Sequence, residues 1–183
     1  MELLQQLDLS ILLFIQEHLR VAWMDVFWKF ITHFGDGGIF WIFLSLALMI
    51  PKKTRKAGIV AACSLLLGAL VTNVTLKPLV DRVRPYHYSD AIIPLGRIPV
   101  DASFPSGHTC ASFACALIYV RMFPKKYGIP LVVLATLIAL SRLYLCVHFP
   151  TDVLGGFLAA LFSSAVVYVC YQRLEQKKQR AGT

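Results

Sequence analysis

Two apolar runs, 57–76 and 128–147, each have the length of about 20 residues that a helix needs to cross a bilayer core. A third, 152–171, is as long and carries its one acid, Asp152, at the very edge. Two shorter runs, 37–50 and 109–123, reach spanning length only by borrowing flanking residues or where the bilayer thins. The pattern predicts an all-α polytopic transmembrane helix bundle with five clear spans. One membrane-embedded domain takes up residues 1–183.

The first 35 residues break the pattern. Glu17, His18, Arg20, Asp25 and Lys29 interrupt apolar positions, with Trp23 and Trp28 close by. This suits an interfacial helix or a bent helical pair packed on the bundle, with a sixth span left open. The turn "GDGG", residues 35–38, closes the segment, and Asp36 could cap the helix that follows.

Composition agrees with a membrane assignment. Of 183 residues, 57% are hydrophobic and 15% charged, with a mean hydropathy of +0.66. A soluble domain would carry about a quarter charged residues. The length leaves no room for a separate soluble module. The acidic opening, Met1-Glu2, argues against a cleavable signal peptide. Cys63, Cys110, Cys115, Cys146 and Cys170 lie in or beside apolar runs at no metal-like spacing, as packed small hydrophobes would.

The net charge of +8 is split into short clusters at the ends of apolar runs, which speaks against a nucleic-acid partner. Lys52, Lys53, Arg55 and Lys56 form one cluster, and Arg121, Lys125 and Lys126 a second. Arg173, Lys177, Lys178 and Arg180 form the third. Alternating spans put all three on one side, which the positive-inside bias makes cytoplasmic, together with the C-terminus. The extracytoplasmic face then holds Lys77, Arg82, Arg84, Arg97, His108, Arg142 and His148. The compactness suggests a bacterial plasma membrane.

Three stretches bring polar residues to that face. In "KPLVDRVRP", Lys77 and Arg84 are seven apart, so a continuing helix would stack them on one face about 10 Å apart. Pro85 would end that helix at Arg84. Arg82 would point elsewhere, to lipid headgroups or solvent, and Asp81 could brace either cation. A snorkelling helix end would look much the same.

In "PSGH", Pro105 and Gly107 shape a turn at a helix start, which offers unpaired N–H groups to an anion. Ser106 adds a hydroxyl donor, and His108 a group that moves protons near neutral pH. A helix cap with an incidental histidine fits equally. In "SRLYLCVHFPTD", His148 lies four residues before Asp152 and six after Arg142. A carboxylate one turn from a histidine can fix one ring nitrogen as donor and leave the other as nucleophile, or form an edge salt bridge. Taken together, three cations, an anion-binding turn, two histidines and an acid point to phosphate as ligand. Such cations can neutralise the equatorial oxygens of a transferring phosphoryl group without a metal.

The set "K-x6-RP", "PSGH" and "SR-x5-H-x3-D" resembles the three-part signature of the type 2 phosphatidic acid phosphatase superfamily, in its membrane branch. The matching residues are Lys77, Arg84 and Pro85, then Pro105, Ser106, Gly107 and His108, then Ser141, Arg142, His148 and Asp152. The resemblance implies hydrolysis through a phosphohistidine at the membrane surface. His148 would attack phosphorus with Asp152 holding its ring, and His108 would protonate the leaving oxygen and then activate water. Lys77, Arg84, Ser106, Gly107 and Arg142 would hold the phosphoryl oxygens, with no cofactor and no metal. The partner is a membrane lipid phosphate, undecaprenyl diphosphate before phosphatidic acid or phosphatidylglycerol phosphate, and the loop 86–104, with His87, Tyr88, Asp90 and Arg97, would contact its headgroup. A phosphotransferase or a non-enzymatic lipid-phosphate transporter are the alternatives.

Overall fold

A computed structural model describes residues 2–181; Met1, the first residue of the acidic opening, lies outside, as do Gly182 and Thr183. Helices α1 (Glu2–His18) and α2 (Ala22–His33) form a bent pair, broken where Val21 turns extended. A short 3-10 turn, Asp36–Gly38, then leads into α3 (Ile39–Met49). Gly37 and Gly38 take left-handed φ values of 57° and 67°, which glycine adopts without a steric cost. Helix α4 (Arg55–Ala69) runs through a π-helical stretch, Leu70–Leu76, into α5 (Lys77–Val80). One turn, α6 (Pro85–Tyr88), precedes a long loop and α7 (Gly107–Met122), α8 (Lys125–Tyr144) and α9 (Pro150–Ala181). The described residues contain no strand.

Among the described residues, four helical runs are long and apolar enough to cross a membrane: Ala22–Met49, Arg55–Tyr88, Lys125–Tyr144 and Pro150–Ala181. The run expected at 37–50 is therefore joined to α2 across the glycine turn. The run at 109–123 is α7, shorter at 16 residues. The helix carrying Lys77 also departs from expectation. It ends at Asp81, whose φ of 43° is left-handed, and Pro85 does not stop it but opens α6. Proline suits that first helical position because its missing N–H would be unpaired there anyway.

Helix α7 is the hub and packs against α4, α8 and α9. Its Ala114, Cys115 and Ala116 are buried in one cluster with Ala61 of α4, Ala135 of α8 and Ala160 of α9, small residues that let backbones approach closely. Trp41, Ile118, Tyr119 and Ile138 fill the remaining space. Several buried polar groups of the bundle core pair with one another, as a setting without water favours. Trp41 donates to Ser112 at 3.0 Å, Ser45 and Tyr119 share a bond of 2.7 Å, and Ser64 donates to the Ala114 carbonyl at 2.8 Å. The outer face carries exposed Leu66, Val74, Leu158 and Phe162. Cys110, Cys115 and Cys146 are packed inside, but Cys63 and Cys170 are exposed and so are not core residues.

The basic clusters meet at one end. Lys53, Lys56 and Lys126 line one cavity of about 750 Å³ together with Tyr171, and Lys56 pairs with Glu175. The three signature motifs gather at the other end.

Candidate active site

Release of the chain from helix at Asp81 leaves residues 82–84 non-helical, with Arg84 extended, and turns Arg84 inward rather than along a helix face. Arg84 is 3% exposed and its fork is fully engaged. Nε donates to the Asp101 carbonyl, Nη2 to the Asp101 carboxylate and Nη1 to the Val147 carbonyl, each at 2.7 Å. Nη1 also lies 3.4 Å from His148 Nε2. Lys77 pairs with the second carboxylate oxygen of Asp101. Asp101, and not Asp81, thus braces both cations. Burial raises the Asp101 carboxyl, but Lys77 and Arg84 outweigh it and bring the pKa down to about 2.

His148 sits in the linker between α8 and α9, where Cys146 takes a left-handed φ of 53° and Val147 and Phe149 are fully buried. Its ring is 2% exposed. Burial holds the imidazole well below its ordinary pKa; Asp152 pulls upward, and Arg84 and Arg142 push further down. It is therefore neutral, with a lone pair, near pH 7. His148 Nδ1 stands 3.5 Å from Asp152 Oδ2, an ion-pair distance rather than a tight hydrogen bond.

Asp152, fully buried at the start of α9, is held from several sides. Oδ1 accepts from Arg82 Nη1 at 2.7 Å, and Oδ2 accepts from the Ser103 hydroxyl and from the Phe149 N–H at 2.8 Å. Arg82 does not face lipid or solvent. Its other arm donates to Asp8 at 2.8 Å and Gln5 at 2.6 Å on α1, and its guanidinium lies 4.1 Å over the Phe149 ring. Asp8 is 2% exposed, so its removal leaves a guanidinium arm without its anion. Asp8→Ala is expected to cost about 1–3 kcal/mol, read as a lower melting temperature in detergent. An unchanged melting temperature would show that Asp152 and Gln5 hold Arg82 unaided.

The "PSGH" turn is tied to the same carboxylate's backbone. The Ser106 N–H donates to the Asp152 carbonyl at 2.9 Å. Ser106 caps α7: its Oγ accepts from the Thr109 N–H at 3.4 Å and from the Thr109 hydroxyl at 3.0 Å. Its own hydroxyl proton stays available, as do the first-turn N–H groups of Gly107 and His108. Next to them, Arg142 is 4% exposed, donates from Nη1 to Thr32 at 2.5 Å and keeps Nε buried without a partner. A buried donor left unpaired is one that an anion can satisfy.

Asp36 makes no side-chain cap, contrary to expectation. Its Oδ1 lies 2.9 Å from His108 Nε2 and its Oδ2 2.8 Å from His33 Nδ1. Two cavities meet at His108 and Asp101. One, of about 470 Å³, is lined by Lys29, Asp36, Arg97 and Arg142. The other, of about 480 Å³, leads from Lys77 and Gly107 down an apolar wall of Ile42, Leu46, Leu65 and Leu66. Of the headgroup loop, Arg97 reaches this site. His87, Tyr88 and Asp90 line neither cavity.

The model of the PAP2 superfamily matches residues 57–176. The chain belongs to this superfamily. It is 30% identical to an undecaprenyl-diphosphatase of Sulfolobus acidocaldarius over 76% of this chain, which spans 66% of that relative. It is 33% identical to undecaprenyl-diphosphatase BcrC of Bacillus subtilis, covering 75% of this chain and 70% of that one. The crystal structure of a transmembrane PAP2-type phosphatidylglycerolphosphate phosphatase from Bacillus subtilis superposes with a TM-score of 0.77. It is 29% identical and covers 94% of this chain and 88% of the other. The PAP2 relatives are phosphatases. All three motifs lie inside the matched stretch, and the fold brings Lys77, Arg84, Ser106, Gly107, His108, Arg142, His148 and Asp152 to one end of the bundle.

Sequence reasoning missed four residues of this PAP2 site: Asp101, Ser103 and Asp8 outright, and Arg82 in its role. Asp8 and Arg82 are 74 positions apart, and Arg82 and Asp152 are 70 apart. No local periodicity joins such pairs.

Proposed function

We propose that this PAP2 protein hydrolyses a phosphate or diphosphate from a membrane lipid through a phosphohistidine on His148. The observation that carries the reading is the buried His148, its Nε2 beside Arg84 and its Nδ1 facing Asp152, at a site that continues into an apolar-walled cavity. The Nε2 lone pair attacks the terminal phosphorus, and the bond to the leaving oxygen breaks, which is the lipid oxygen of a monoester or the bridging oxygen of a diphosphate. His108 gives that oxygen a proton. Arg84, Lys77, Arg142 and the α7 N–H groups offset the charge on the equatorial oxygens. Water then attacks the phosphohistidine, the P–N bond breaks, His108 takes the water's proton and phosphate departs. Lys77 and Asp101 mark where the headgroup enters, and the Ile42–Leu66 side of the cavity accepts the apolar chain.

Undecaprenyl diphosphate is the first candidate substrate, because two relatives are undecaprenyl-diphosphatases and the charge bias puts the site on the extracytoplasmic face, with the C-terminus cytoplasmic. In that orientation α7, shielded by its neighbours, is the inner fifth crossing. The test is phosphate release by purified protein in detergent with EDTA present, offering undecaprenyl diphosphate and phosphatidic acid side by side. A faster rate on the diphosphate supports carrier recycling. A faster rate on phosphatidic acid replaces it with general lipid dephosphorylation, and no release with either substrate removes the hydrolase reading.

A further inference from the structure

The "GDGG" turn has no part in the signature motifs, yet the fold delivers it to the catalytic acid. Three features of the turn serve that delivery. A Cβ on Gly35 would come within 2.5 Å of His108 Cδ2, so only glycine lets the imidazole lie against the backbone there. The left-handed Gly37 and Gly38 swing the chain away immediately after Asp36 and start α3. Asp36 is then left pointing at His108, its two oxygens engaged by His108 Nε2 at 2.9 Å and His33 Nδ1 at 2.8 Å. His108 also lies in the field of Arg142 and Lys77, so an imidazolium there needs an anion beside it.

We propose that Asp36 is the positioning residue for His108, giving the site a second carboxylate–imidazole pair that matches Asp152 and His148. This rests on the hydrolase reading above. Asp36 accepts the Nε2 proton of His108, which fixes the tautomer and the ring plane and leaves Nδ1 to exchange a proton with the reacting oxygen. Its charge keeps the protonated ring in place until the lipid oxygen leaves. His33, 70% exposed at its side chain, holds the far oxygen of Asp36 and so fixes the carboxylate's orientation.

A defect in the general acid is felt in proportion to the proton the leaving group needs. Wild type, Asp36→Asn and Asp36→Glu are compared on phosphatidic acid, an alkyl monoester, and on p-nitrophenyl phosphate, whose leaving group departs without a proton. Asp36→Asn is expected to lower kcat/KM for phosphatidic acid about tenfold or more, with the loss for the aryl ester below about threefold. Asp36→Glu should recover part of the alkyl-ester rate, since it restores the charge. A merely structural role for Asp36 would depress both esters alike. Equal losses, a larger loss on the aryl ester, or no loss on phosphatidic acid would each overturn the proposal. A wild-type protein inert toward both esters and toward undecaprenyl diphosphate would overturn the hydrolase reading itself, and this assignment with it. One active on the diphosphate alone is compared on that lipid, where an unchanged Asp36→Asn rate overturns the proposal.

Discussion

His148→Ala is expected to lower turnover of the lipid phosphate by about 10⁴-fold or more, because no other side chain can take its place at phosphorus. The expectation follows from geometry. His148 is the imidazole held neutral by burial and by the cations around it, and its Nε2 is the nitrogen beside Arg84. His108 does not substitute, since its Nε2 is held by Asp36 and its Nδ1 serves the proton transfer at the leaving oxygen. Loss of the ring opens a small cavity in the α8–α9 linker, so His148→Asn, which refills most of the volume, belongs beside it. Both variants should elute as the wild type does and both should be inactive. Phosphate release from either, above the level of an untreated detergent blank, would remove the covalent mechanism.

Arg84→Lys is expected to lower kcat/KM by about 10²- to 10³-fold although the charge is kept. Arg84 uses its planar fork on two carbonyls and a carboxylate at once, while one arm stays beside His148. A lysine ammonium is a single point and cannot reproduce this pattern. The Asp101 and Val147 carbonyls would lose their donor, and Asp101 would be free to swing on Lys77 alone. Steady-state kinetics on the preferred lipid measures the effect. A loss below about tenfold would mean that positive charge suffices at this position and that the fork is not what orients the phosphoryl group.

The parts of this site that were legible in the sequence are those carried by residue type and short spacing. His148 and Asp152 are one helical turn apart across the start of α9, and "PSGH" announces a helix N-terminus through its proline, serine and glycine. The apolar runs announced the bundle for the same reason: a bilayer imposes helix length and polarity on every span. What stayed hidden depends on the third dimension. Pro85 was read as a stop and is a start, because the break occurs four residues earlier at Asp81 through a left-handed turn that no side chain advertises. Arg82 was assigned outward on the assumption that the helix continued; once the chain is extended there, it faces Asp8 and Asp152. Asp36 was read as a cap because a polar residue before an apolar run usually is one. Its partner lies 72 positions away, and only the packing of the glycine turn against α7 brings the two together.

In the proposed mechanism phosphorus becomes bonded to His148 during turnover. Acid-sensitive phosphohistidine can be preserved by quenching the turning-over enzyme in alkali and mapping the modified peptide by mass spectrometry. One phosphoryl group is expected on His148, formed from lipid phosphate, lost on longer incubation without substrate, and absent from His148→Asn. A turning-over wild-type enzyme with no phosphoryl group on His148, or with one that forms on His108 instead, would contradict it.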